Sequence, residues 1–225
     1  MRRLFFALVT LAGAAASATA QAQPAPPAPA GEAKANANPC REEVANALQK
    51  LRKSSWFRMT TTMITEQGPT AMEVDYVLPD RMHQKVEIKL ANHKSEMILV
   101  GNEGWSRTGE EDWKPLPEAT VTDLRTQMQQ SVVDQQVDVG NYSCKGRTTF
   151  DGRDVLSYKL EDEPAKDSTA PKNETFRMFY VDPTTGLPVS NALIAPGRET
   201  KPLFKASYAF PLDMKIEPPR AVAKP

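Results

Sequence analysis

Residues 72–90 read MEVDYVLPDRMHQKVEIKL, and they decide the fold. Met72, Val74, Tyr76 and Leu78 alternate with Glu73, Asp75 and Val77. After a turn at Pro79-Asp80, Met82, Val86, Ile88 and Leu90 alternate with His83, Lys85, Glu87 and Lys89. A period of two, with one apolar and one polar face, marks antiparallel strands that are packed on one side and wet on the other. Upstream, Phe57, Met59 and Met63 alternate with Arg58, Thr60 and Thr62 and run into the Gly68-Pro69 turn. Three strands therefore follow one another, each joined to the next by a short turn.

Working outward, the meander continues through 96–100, the turn 101–104, and short strands at Trp105 and near Trp113. Residues 120–135 break the period, because Val121, Leu124, Met128 and Val132 fall on one helical face. Strands resume at 145–150 and 155–160 around Asp151-Gly152, a hairpin dipeptide. A polar loop at 161–173 leads to 174–181, which carries Phe176, Met178 and Tyr180 on one face. The turn cluster 182–186 then introduces strands at 187–194 and 203–210, with an extension at 214–217. Ahead of the first strand, residues 41–53 place Val44, Leu48 and Leu51 at helical spacing, with acidic residues at the start and basic ones at the end. The expectation is an α+β, mainly β domain. It is a curved antiparallel sheet, a half-barrel of roughly eleven strands in one meander, closed over its concave face by two helices.

The N-terminus sets the compartment. Arg2 and Arg3 precede an apolar run from Leu4 to Ala16, and small residues at Ala18, Ala20 and Ala22 offer cleavage points. This is the order of a secretory signal over residues 1–22. The run is shorter than the roughly 20 residues that a membrane span requires. Residues 23–39 are Pro- and Ala-rich and read as an extended tether. The globular domain is expected over 40–219, followed by a tail at 220–225. The first cysteine, Cys40, lies well past the cleavage points, so no lipid anchor is expected, and the mature protein is expected free in the periplasm. In an oxidising compartment Cys40 and Cys144 are expected to pair. The bridge would staple the first helix to the second half of the sheet and contribute about 2–4 kcal/mol.

Charge narrows the partners. The chain has 28 Lys plus Arg against 28 Asp plus Glu, and loss of the signal leaves the balance close to neutral. That gives no footprint for nucleic acid and no polybasic membrane patch. Nor do the residues suggest catalysis, a cofactor or a metal. His83 falls on a polar strand face and His93 in a turn, neither spaced as a metal ligand. No G-x-S-x-G elbow is present, and Glu110, Glu111 and Asp112 suit a hairpin tip. Trp105 and Trp113 flank that tip and are expected to pack. The methionines stand out: Met59, Met63, Met72, Met82, Met97, Met128 and Met178 all lie in expected elements. Thioethers adapt to varied apolar partners, so these residues fit either a flexible ligand cavity or ordinary filling of a core.

Four stretches resemble the periplasmic lipoprotein-carrier superfamily, the LolA/LolB-like fold: Tyr76–Arg81, Glu96–Val100 with Gly104-Trp105, Phe176–Leu187 and Met214–Pro219. The resemblance spans residues 41–219. It departs at Leu78, where carriers of the best-understood type have an arginine that helps hold their lid helices. It implies a carrier or chaperone that binds a lipid, a lipoprotein acyl chain or another apolar ligand between sheet and helices. Membrane-bound donor or acceptor proteins would be its partners, and the carrier itself a monomer. The residues expected to line the cavity are Met59, Met63, Met72, Val74, Tyr76, Val86, Met97, Leu99, Leu124, Met128, Phe176 and Met178. The alternative is a sensor or interaction module of the same fold that regulates an envelope process without transport.

Overall fold

The computed structural model describes residues 38–134, 139–161 and 175–219. The readings above for 1–37, 162–174 and 220–225 lie outside them. Among the described residues two α-helices, α1 (Pro39–Lys53) and α2 (Glu118–Met128), accompany eleven strands. The strands are β1 (Trp56–Thr65), β2 (Gly68–Val77), β3 (Arg81–Ile88), β4 (His93–Val100), β5 (Glu103–Thr108) and β6 (Lys114–Pro115) before α2. After it come β7 (Asn141–Phe150), β8 (Arg153–Glu161), β9 (Phe176–Val181), β10 (Pro188–Ile194) and β11 (Phe204–Ala209).

All strands join one open antiparallel sheet in the order β6-β5-β4-β3-β2-β1-β11-β10-β9-β8-β7. This is not one meander but two, running outward in opposite directions from a central seam. At that seam Met59 pairs with Tyr208 and Thr61 with Ala206. The first and last strands are thereby hidden in the middle, and the edges become β6 and β7. Both edges are blunted: β6 is two residues long and contains Pro115, and β7 carries Lys145 and Arg147. The hairpin at Asp151-Gly152 forms as expected, with φ of 49° and 75°. The 214–217 extension forms no strand. Its Ile216 is buried, and the Ile216 carbonyl accepts a hydrogen bond from Arg81 Nη1 at 2.8 Å.

Both helices pack on one face of the sheet, termed here the helix face. Helix α1 opens with Asn38 as N-cap, its side chain accepting from the backbone N–H of Cys40 at 3.0 Å and Arg41 at 3.3 Å. Its buried stripe is Val44, Ala47 and Leu51. Cys40 is bonded to Cys144 of β7, so the expected disulfide is present. Helix α2 is shorter than expected and passes into a single π turn at Gln129–Val133. Among the described residues no helix is long and apolar enough to cross a membrane.

Candidate functional site

The helix face carries two covered patches, with a row of half-buried methionines beside the one under α2. Under α2, residues Val121 and Met128 join Leu51 of α1 against Phe57, Val74, Tyr76, Met82 and Leu99. Gly104 lets α2 approach: a Cβ there would lie 3.0 Å from Val121 and 3.1 Å from Leu116. Phe57 packs on Tyr76 with ring centroids 4.9 Å apart, and on Tyr208 at 6.5 Å. Burial pushes the hydroxyls of Tyr76 and Tyr208 up to about 12. Leu78, in the position where the resemblance implies arginine, packs against this patch as an apolar contact.

Under α1, Val44 and Ala47 rest on Tyr142, Tyr158, Phe179 and Val181. Tyr142 and Phe179 meet edge to face at 6.2 Å. Tyr158 donates its hydroxyl to Glu43 of α1, and its pKa is raised by burial first and by Glu43 second. Asn38 Nδ2 donates to the Tyr142 carbonyl at 2.8 Å, which fixes the start of α1 on the strand beneath it.

Met59, Met72 and Met97, on β1, β2 and β4, are half-buried and pack against the patch under α2, with Met63 and Val86 half-buried further along the same face. Ten of the twelve expected lining residues sit on the helix face or on α2, and the register explains why. Met59, Val74 and Gln84 are successive cross-strand partners, as are Thr61, Met72 and Val86. Leu124, on α2, is half-buried and stands apart from the patch that Val121 and Met128 complete. Phe176 and Met178 are the correction. They point to the opposite face, because Phe179, which pairs with Tyr158, belongs to the helix face. There they pack with Val155, Tyr180, Ala192 and Ile194. They line a cavity of about 480 Å³ with Phe150, Tyr180 and Lys205, in which Phe150 stacks on Tyr180 at 4.0 Å.

A second cavity, of about 650 Å³, lies between α2 and the β2–β3 turn, lined by Pro79, Asp80, Arg125, Met128, Gln129 and Asp134. The polar face holds a ladder of charges that includes His83, which the sequence places on a polar strand face. Arg58 binds Asp75 at 2.6 Å, His83 Nε2 lies 2.9 Å from Glu96, and Arg107 Nε donates to Glu96 at 3.1 Å. Burial works against the Glu96 carboxylate, but hydrogen bonds from His83 and Arg107 outweigh it and hold its pKa low. Trp113 packs over the Arg107 guanidinium at 4.7 Å and edge-on to His83.

The reading also missed Thr61, Gln84 and Tyr208 on the helix face. Thr61 is buried with an unpartnered hydroxyl, and Gln84 Nε2 donates to Met72 Sδ at 3.1 Å. Their signal was parity: each occupies an apolar slot in an otherwise alternating strand.

No protein-family model matches this sequence, and no curated protein matches it. Solved structures do. The lipoprotein LppX of Mycobacterium tuberculosis aligns with a TM-score of 0.54 at 12% identity, over 80% of this chain and 98% of that one. LprF of Mycobacterium bovis aligns with a TM-score of 0.51 at 10% identity, over 81% of this chain and 98% of that one. At such identity the likeness speaks for fold alone, and the chain shares its fold with LppX and LprF.

Proposed function

We propose that this protein is a non-catalytic carrier or chaperone, exported to the periplasm, that holds the apolar chain of a lipid or lipoprotein against the helix face. The observation that carries the reading is the methionine band. Met59 of β1, Met72 of β2 and Met97 of β4 lie half-buried on one face, packed against the patch roofed by α2. Flexible thioethers in that position suit a guest of variable shape.

The energetics favour α2 as the part that moves. It buries only Val121 and Met128, at about 1.5–3 kcal/mol for each fully buried side chain. Its N-cap is Pro117, without a side-chain hydrogen bond. A dozen acyl methylenes removed from water supply roughly 10 kcal/mol, at about 0.8 kcal/mol each. That exceeds the cost of lifting α2. The protein works as a monomer that exchanges its cargo with membrane-bound donor and acceptor proteins.

The test is native mass spectrometry of the protein purified from the periplasm, followed by organic extraction. A bound lipid or lipopeptide, lost in Met97→Asp while the fold persists, is the expected result. An empty wild-type protein that also takes up no fluorescent fatty acid would show that the methionines are core filling.

A further inference from the structure

Two hydrogen-bond donors on the helix face are poorly served by the protein. Thr61 is 1% exposed, and its buried Oγ1 has no hydrogen-bond partner. The register sets it beside Met72 of β2 and Ala206 of β11, with Met59 and Met63 two residues away on the same face. Gln84, on β3, donates its amide hydrogen to Met72 Sδ at 3.1 Å, and thioether sulfur is a weak acceptor. The unpartnered hydroxyl and the weakly served amide thus stand on either side of Met72, a side chain flexible enough to swing aside. A buried donor left unmet is destabilising, whereas an apolar residue of the same shape is neutral or better. A surface that met only hydrocarbon would gain nothing from threonine and glutamine at these two positions. An oxygen acceptor arriving with a guest would satisfy both.

We infer that the carried molecule presents a carbonyl oxygen to Thr61 and Gln84, so that the ligand class is an acyl ester or amide and not a plain hydrocarbon or ether. The inference rests on the carrier reading. A glycerolipid and the acylated end of a lipoprotein share this chemistry.

The experiment uses the exported protein, stripped of lipid, with a bound fluorescent fatty acid as reporter. Displacement by 1-monopalmitoylglycerol is compared with displacement by 1-O-hexadecylglycerol, which has the same chain and head but no carbonyl. The wild type is expected to prefer the ester by about two- to tenfold, the strength of one hydrogen bond. Thr61→Val and Gln84→Met should each reduce that preference and together abolish it, whereas Thr61→Ser should keep it. Thr61→Val should also melt higher than wild type, which reports on folding independently of binding. Equal displacement by ester and ether, or a preference that survives in the double variant, overturns the inference and leaves the carrier reading standing. Failure of the wild type to bind the reporter or either glycerol overturns both. Phosphatidylglycerol and a diacylated lipopeptide, run in parallel, then show which source of the carbonyl is preferred.

Discussion

The two halves of the helix face are roofed in different ways. Helix α1 is anchored by the disulfide to β7, by Asn38 bonded to the Tyr142 carbonyl, by Glu43 accepting from Tyr158, and by Lys50 Nζ donating to the Thr185 carbonyl at 2.8 Å. Its buried stripe runs the length of the helix. Helix α2 has two buried side chains, no side-chain cap and a π turn at its end. Among the described residues one roof is tied covalently and by hydrogen bonds, and the other is held to the sheet by packing. On the carrier reading proposed above, stability and movement fall to different helices: a scaffold that stays folded and a cover that opens at a cost below the gain from binding.

The contrast breaks most severely at the disulfide. Cys40→Ser with Cys144→Ser should lose about 2–4 kcal/mol of global stability in urea denaturation, because a loop spanning a sequence separation of 104 residues is released. An alkaline limb should follow. Burial raises the Tyr76 hydroxyl to about 12 from an ordinary value near 10. A raised folded pKa contributes stability that is present below pH 10 and lost as pH climbs from 10 towards 12. Tyr76 should account for about 2–3 kcal/mol of that loss in alkaline melts, with Tyr208 adding to it, and Tyr76→Phe should shrink the total. Met128→Ala would cost about 2–5 kcal/mol if α2 were part of the rigid core. Here it should instead strip hydrogen-exchange protection from α2 and leave the sheet's denaturation midpoint nearly unchanged. Asn38→Ala should cost about 1 kcal/mol through the lost cap of α1. Equal protection of α1 and α2 in the wild type would remove the distinction altogether.

Much of this was legible wherever one face is wet. From β1 to β3 the strands alternate with few exceptions, so Met59, Met72 and Val74 are assigned to the helix face by parity. Parity carries no information where both faces of a strand are packed. In Phe176–Val181 (FRMFYV) every residue but Arg177 is apolar, and a one-residue ambiguity reverses the assignment. Phe176 and Met178 were placed on the wrong face for that reason. The β1–β11 seam was hidden because pairing between the first and last strands leaves no local mark. Thr61 and Gln84 were passed over because a polar residue in an apolar slot resembles noise until its partners are seen.

The central claim is that an apolar chain lies on the helix face, and photo-cross-linking tests it most directly. The exported protein would be loaded with a diazirine-bearing fatty acid, irradiated, and its adducts mapped by peptide mass spectrometry. Adducts at Met59, Met72 and Met97 are the predicted result. Adducts confined to Phe176 and Met178 on the opposite face, or none at all, would contradict it.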